Sequence, residues 1–413
     1  MCSAAWQMYS LEKSKSPQAD RSLQNGTSML KLIRFCCAIA FVCGTLSLPA
    51  FAAKKITVQE LSSLLETLHD QKKSDEQISS ELKLVELTEE LTMQNISSYG
   101  HLQLGPITLE QLTILQYASE FQPLPSSASP DKPIPDAAEQ KAILDRMGAY
   151  VNNIYSHLPD LTVTKTTARF SDAPLSQIED FREFRANETT MGDKMNKAVG
   201  NYISYHGNTR VAMQTDKGLE KPVAGKAGPA NDPQGLVAWG QFGPLLRTAA
   251  TESASGGKLT WARWDTVNNV QVAVFNFSID RKKSHYVVNY CCFPNSETSS
   301  GSPGVIAATQ VAVSWNPFKT MPAYHGEFYV EPKTGYVLRF FLRADTKASD
   351  FVHQEVTRVD YATEVLDGKP YMVPKNSVIL NALVISGDGG GQRYTEVHSI
   401  LATEYSGYKL RSN

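Results

Sequence analysis

The spacing of apolar residues divides the chain into a helical part and a strand-rich part. Over residues 53–121, leucines recur every three or four positions, which is the period of an amphipathic helix. Thr57 followed by Glu60 predicts a capping box at the start of the first helix. Thr108 is predicted to cap the last helix of this part. The pattern therefore predicts a small helical region at residues 53–121.

A proline-rich stretch separates this region from the rest of the chain. Residues 122–136 hold five prolines and three serines, a composition typical of a semi-extended linker. The residues that follow predict one long helix over 137–157, with its apolar side chains on one stripe. The linker is therefore the predicted boundary between two domains.

After the long helix the apolar period changes to two, the period of a half-buried strand. The predicted strands are 161–170, 201–206, 209–214, 259–264, 270–279, 285–293, 324–330, 336–344, 353–365, 371–382 and 393–405. One further helix is predicted over 232–253. Many sequential strands and few helices predict an α+β domain at residues 137–413, with a strongly curved antiparallel sheet, a half-barrel, covered by helices.

The N-terminal segment has the order of regions found in a secretory signal peptide. Lys31 and Arg34 precede an apolar run of about 14 residues, shorter than the roughly 20 that a spanning helix needs. Small residues then occupy the two positions that a signal peptidase reads. Cleavage is predicted before Ala53, which makes residues 1–52 an N-terminal extension plus signal peptide and the mature chain periplasmic or secreted. An uncleaved anchor is the alternative, and Met1 and Met29 are both candidate start residues.

Composition narrows the class of partner. The chain has 42% hydrophobic and 20% charged residues, with a formal net charge of −2. This balance is typical of a globular protein, and the absence of a basic run argues against a nucleic-acid partner. The mature chain contains no stretch long and apolar enough to predict a transmembrane span.

Two cysteines, Cys291 and Cys292, lie outside the predicted leader. On a strand their thiols point to opposite faces, so one buried and one exposed thiol is the simpler interpretation. A strained vicinal disulfide is the alternative.

Catalytic motifs are absent from the sequence. It has no Gly-x-Ser-x-Gly elbow, no His-Glu-x-x-His pair and no phosphate-binding loop, so no catalytic residue and no cofactor are predicted. Three histidine–carboxylate pairs at strand spacing (325/327, 353/355 and 396/398) would form a metal site only if their strands were neighbours. The solvated face of a half-buried sheet is the simpler explanation of such pairs, and no metal site is predicted.

Aromatic residues are concentrated on the central strands. If the sheet curls into an open groove, some of them line an apolar cavity. The candidate ligand-binding residues, chosen for strand position, are Trp261, Phe275, Phe277, Tyr290 and Phe340.

The order of a signal, short leucine-rich helices, a proline-rich linker, a helix and the segment 164–170 resembles that of uncharacterised exported proteins of Acidobacteria. The most specific part is Tyr324-His325-Gly326-Glu327 followed by the run from Pro332 to Arg339. The sheet half is more remotely similar to the outer-membrane lipoprotein carrier (LolA-like) and envelope-stress sensor fold. That resemblance implies a curved half-barrel with a cavity for acyl chains.

Three functional hypotheses follow. The first is a non-enzymatic envelope protein that binds a lipid or lipoprotein acyl chain on the concave face of the sheet. The second is a structural or interaction protein with a filled sheet interior, whose helical region contacts a protein partner. The third is a hydrolase with an unrecognised site.

Overall fold

The computed structural model describes residues 53–125, 130, 132–172, 202–216, 218–223, 240–294, 315–347, 349–386 and 394–411. Residues 53–413 form one compact unit. The predicted signal peptide, both candidate start residues and residues 232–239 of the predicted helix 232–253 lie outside the described residues. Among the described helices, none has the length and apolar character needed to cross a membrane. The division at the 122–136 linker stays a prediction.

Six α-helices are described, and their apolar spacing accounts for most of them. They are α1 (Val58–Asp70), α2 (Asp75–Leu82), α3 (Met93–Ser98), α4 (Pro106–Ser119), α5 (Ala137–His157) and α6 (Pro244–Ser255). The predicted capping box at Thr57 and Glu60 is confirmed. Helix α5 has the predicted bounds, because its stripe of apolar residues is uninterrupted. Helices α1 to α4 enclose a core that includes Leu61, Leu65, Leu82 and Leu112.

Helix α4 begins differently from the prediction. Gly105 occupies its N-cap position, and Pro106 is its first residue. The carboxylate of Asp75 accepts hydrogen bonds of 2.9 Å from the backbone N–H groups of Ile107 and Thr108. The prediction that Thr108 caps this helix is wrong, because a carboxylate on another helix satisfies the free N–H groups.

The strands form one large sheet and two small ones. They are β1 (Lys54–Ile56), β2 (Val85–Leu87), β3 (Leu161–Ser171), β4 (Ser204–Asp216), β5 (Leu219–Pro222), β6 (Lys258–Val267), β7 (Val270–Ile279), β8 (Val288–Pro294), β9 (Trp315–Thr320), β10 (Ala323–Val330), β11 (Val337–Asp345), β12 (Val352–Leu366), β13 (Lys369–Ser386) and β14 (Tyr394–Leu410). Strands β1 and β2 pair in parallel, and β8 pairs with β9. The predicted strands 201–206 and 209–214 are one strand, β4.

The large sheet has ten antiparallel strands in the order β5-β4-β3-β14-β13-β12-β11-β10-β7-β6. The α+β class with a large antiparallel sheet is confirmed. The prediction of a strongly curved half-barrel is wrong, because the sheet is open at β5 and β6 and is not strongly curled. Separate elements cover its two faces, so the sheet need not close on itself to bury its apolar side chains.

The two faces of the sheet carry different layers. Helices α5 and α6 pack on one face, through a cluster that contains Phe277, Phe340 and Val359; we call this the α5–α6 face. On the opposite face, which we call the α4 face, Ile114 of helix α4 packs against Phe170 and strands β13 and β14. Because side chains alternate along each strand, Phe340 and its neighbour Phe341 point to different layers.

Candidate functional site

Four of the five residues predicted to bind a ligand lie together on the α5–α6 face. Phe275 and Phe277 on β7, Phe340 on β11 and the partly buried Trp261 on β6 belong to one apolar cluster. The exposed fractions of the three phenylalanines are 1%, 2% and 0%. The fifth residue, Tyr290, has its backbone in the β8–β9 hairpin, and its side chain lies outside the described residues.

The rings of this cluster pack on one another. The ring centroids of Phe277 and Phe328 are 4.5 Å apart, and those of Phe277 and Phe340 are 5.9 Å apart, both in stacked geometry. Trp261 meets Phe275 edge to face at 5.5 Å. The predicted residues therefore contact each other and form an aromatic wall inside the protein.

Helices α5 and α6 cover the aromatic wall on the side away from the sheet. Ile143 and Met147 of α5 and Leu246 of α6 are almost fully buried against it. The turn between β10 and β11 fixes α5 in place, since Arg146 Nε donates a 2.8 Å hydrogen bond to the Pro332 carbonyl. The aromatic wall is thus packed between the sheet and two helices.

A cluster of polar side chains lies at the C-terminal end of α6, beside the aromatic wall. Glu252 is 8% exposed, and its carboxylate accepts a 2.6 Å hydrogen bond from the Tyr324 hydroxyl. The same carboxylate accepts a 3.0 Å bond from the His285 backbone N–H, and its Oε1 lies 2.8 Å from His285 Nδ1. Burial and the Glu252 carboxylate raise the pKa of the Tyr324 hydroxyl, which therefore stays protonated and donates. These contacts tie the C-terminal turn of α6 to the sheet.

A second cluster of polar side chains lies next to Tyr324 on the α5–α6 face. The Tyr286 ring is 5.4 Å from the Tyr324 ring, and the Tyr286 hydroxyl interacts with Glu355 and Thr357 of β12. Thr357 donates a 2.7 Å hydrogen bond to Glu355 Oε1. Burial raises the pKa of the Glu355 carboxyl to about 7, against the opposing effect of the hydrogen bonds from Thr357 and Tyr286. A large fraction of Glu355 is therefore uncharged near neutral pH.

Asn381 of β13 lies directly opposite Glu355 in the strand register. Its side chain is 1% exposed, and among the described residues neither Oδ1 nor Nδ2 has a hydrogen-bond partner. A buried polar group without a partner costs about 1–3 kcal/mol, so native proteins normally pair such groups with protein, water or ligand. The Asn381 amide is thus a position that favours a bound polar group.

Sequence reasoning did not identify Asn381, and it assigned Glu355 to a histidine–carboxylate pair on a solvated face, whereas the structure buries Glu355 at 4% exposure. The signal in the sequence was the alternation of side chains along the strand, which places Glu355 and Thr357 on the same face of β12 as the buried Val359. Asn381 is likewise in step with the inward Ile379 and with Leu383 on β13. Polar residues in phase with buried apolar ones indicate a polar site within a core.

Two of the three histidine–carboxylate pairs touch, through His353 and Glu396, but the three pairs do not assemble into one site. Each histidine contacts an acid outside its own pair: His325 with Asp345 at 2.8 Å, His353 with Glu396 at 3.1 Å and His398 with Asp172 at 2.8 Å. Within the described ranges, no three potential metal ligands are grouped. The thiols of Cys291 and Cys292 lie outside the described residues.

A surface depression of about 260 Å³ lies in the helical region, lined by Lys73, Glu76, Gln77, Ser80 and Glu81. Its lining is polar and comes from α2 and the residues just before it, whereas the aromatic wall and Asn381 belong to the large sheet. It therefore contributes nothing to the α5–α6 face.

Comparisons with known proteins identify a solved structure that is similar to this chain. No protein-family model matches the chain, and no curated protein matches it. The crystal structure of a LolA superfamily protein from Nitrosomonas europaea is similar at a TM-score of 0.27 and 10% sequence identity. The match covers 66% of this chain and 94% of that protein.

Proposed function

We propose that the chain is an exported, non-enzymatic binding protein that holds one amphipathic molecule, such as a lipid or an acyl chain, on the α5–α6 face. The observation that carries this proposal is the unpaired Asn381 amide on the face that also holds the aromatic wall. Ligand sites in proteins commonly combine apolar walls with a few well-placed polar groups. The polar end of the ligand would lie at Asn381 and its apolar part against Phe277 and Phe340.

Binding of a chain at the aromatic wall requires α5 and α6 to move away from the sheet. The rings already fill the space between them, with Phe328 and Phe340 both 0% exposed. The ligand's apolar surface would replace the helix side chains that now cover the rings, which keeps the buried area of the wall nearly constant. Binding is then favoured by the ligand's own apolar surface leaving water and opposed by the cost of displacing the buried side chains of α5 and α6 from the wall.

Detergent-free purification of the full chain followed by native mass spectrometry tests this proposal. The expected result is a bound acylated molecule, or stoichiometric uptake of added oleamide or oleate. An apo mass without uptake of either would overturn it.

Export has its own support and its own test. The basic, apolar and small-residue regions of residues 1–52 support a cleaved signal. The expected N-terminal peptide of the exported protein begins at Ala53. An intact leader on the exported or membrane-bound protein would favour the uncleaved anchor instead.

A second candidate function is an interaction protein with a filled sheet interior. The observation that favours it is the close stacking of Phe277, Phe328 and Phe340 under two helices. On this alternative the aromatic wall is an ordinary core, and the helical region binds a protein through exposed apolar side chains such as Met93, Ile107 and Leu109. An apo mass in the experiment above, together with a co-purifying protein, is its expected signature.

A further inference from the structure

We propose that the polar end of the bound molecule is an uncharged carboxamide that pairs with Asn381. This inference rests on the proposed function, because it names the head group of the same ligand. It follows from the geometry of the Asn381 amide and from the chemistry of its nearest neighbour on the sheet.

The Asn381 side chain offers a donor and an acceptor side by side. Nδ2 donates, Oδ1 accepts, and neither has a partner among the described residues. A hydroxyl group can satisfy only one of them at a time in good geometry. A primary carboxamide presents its own N–H and C=O on one edge, so it can pair with both at once. The unpaired atoms therefore favour an amide head group over an alcohol.

The neighbour of Asn381 argues against an anion. Residues directly opposite on antiparallel strands have Cβ atoms about 5 Å apart, which places the Glu355 carboxyl within reach of the same ligand group. A carboxylate or phosphate placed there would be repelled by any ionised Glu355, whereas an uncharged amide would not. In its uncharged form Glu355 can also donate a hydrogen bond to an amide oxygen. Arg169 lies on the same face but on β3, two strands from Asn381, whereas Glu355 lies on the neighbouring strand. The charged group next to Asn381 is therefore the Glu355 carboxyl.

Buried polar residues along the same face support a polar subsite at this end of the site. Ser399 lies opposite Asn381 on β14, and its hydroxyl is 3.3 Å from that of Ser171. Both serines are 7% exposed. Asn381 thus has carboxyl and hydroxyl groups on the strands at either side, while the apolar wall lies beyond β12. The face therefore has a polar region beside an apolar one, which matches the polar and apolar ends of an amphipathic molecule.

The test compares two probes with the same chain length, oleamide and oleate, on the full chain by native mass spectrometry titration. Wild-type protein is expected to bind oleamide at least tenfold more tightly than oleate. Asn381→Leu, which keeps the side-chain size, is expected to lose at least tenfold in oleamide affinity. Asn376→Leu is the matched control, since Asn376 is an exposed asparagine on the same strand, and it should bind like the wild type.

Other results of this titration would overturn the carboxamide inference, either alone or together with the proposed function. Equal binding of both probes, or tighter binding of oleate, would overturn the carboxamide inference and leave the proposed function standing. Binding of neither probe would overturn both. Unchanged oleamide affinity in Asn381→Leu, together with a lower midpoint of thermal unfolding, would show that the amide holds only water or neighbouring protein groups and would overturn the inference.

Discussion

Arg339 Nη1 donates a 3.2 Å hydrogen bond to the carboxylate of Glu90, a residue 249 positions earlier in the chain. The contact joins the helical region to the α4 face of the sheet. Arg358 also donates to Glu90, at 3.1 Å, and both arginines form two hydrogen bonds each with Asp360. Glu120 completes this ion cluster, at 3.5 Å from Arg358. The cluster is almost fully buried and anchors the helical region.

Glu90→Gln removes one carboxylate from the ion cluster and keeps the side-chain size. Because it leaves two buried guanidinium groups with less opposite charge, we expect the free energy of unfolding to fall by about 3 kcal/mol. Urea titration measures the change. Glu86→Gln is the control, since Glu86 pairs with Lys55 at the exposed surface and should cost less than about 1 kcal/mol. Equal losses in the two variants would contradict the anchoring role.

Glu355 should make stability depend on pH in a defined direction. Its pKa is about 7 in the folded protein against an ordinary value of 4.5, so the folded state binds this proton more tightly. The stability that it contributes is complete below the ordinary value and is lost as the pH rises through about 7. Glu355→Gln cannot lose a proton, so its unfolding free energy relative to wild type should rise by up to about 3 kcal/mol between about pH 5 and pH 8.

Urea titrations of both proteins across this range measure the difference. Glu86→Gln, an exposed acid, should follow the wild type at every pH. A constant difference between Glu355→Gln and wild type would contradict the burial of the carboxyl.

Gly335 allows the β10–β11 turn to approach helix α5. Its φ is +77°, and an added Cβ would lie 2.4 Å from the Arg146 carbonyl carbon. Gly368 has nearly the same φ, +76°, with open space around it. Gly368→Ala should therefore cost about 1 kcal/mol for backbone strain alone. Gly335→Ala should cost roughly 1–3 kcal/mol more, because the helix must shift. Equal costs in thermal unfolding would show that the turn does not hold α5.

Asp75 should stabilise helix α4 from outside. Its carboxylate accepts from the N–H groups of Ile107 and Thr108, so Asp75→Ala should cost about 1 kcal/mol, as for the loss of a helix cap. Burial raises the pKa of Asp75, but the hydrogen bonds from Thr108 and Ile107 together outweigh this effect and lower the pKa overall. The effect should therefore disappear as the pH falls through this lowered value. Asp70→Ala, at an exposed position on α1, is the control. A similar loss in both variants would argue against capping.

Local patterns predicted the elements well. The leucine spacing around Leu61 and Leu65 gave the buried stripe of α1, and the alternation between Val270 and Ile279 gave the exact bounds of β7. These signals are local because helix and strand periods depend on neighbouring residues. Strand β5 was missed because four residues carry too little periodicity, and β9 because its pattern includes a proline.

Long-range relationships could not be predicted from the same patterns. The strand positions of Phe277 and Phe340 were correct, but whether they line a groove or a packed wall depends on where α5 and α6 lie. The prediction of a strongly curved sheet was wrong for the same reason, since the covering of both faces is a property of the whole fold. No local feature pairs Glu90 with Arg339, or Glu355 with Asn381.

Photo-crosslinking tests the central claim most directly, because it reports where a bound chain lies. The probe is an oleamide analogue with a diazirine near the end of its chain, and the crosslinked peptides of the full protein are identified by mass spectrometry. The account predicts crosslinks to the peptides that contain Phe277, Phe340 and Met147, and competition by unlabelled oleamide. Crosslinks confined to the exposed helical region, or none that oleamide competes for, would contradict it.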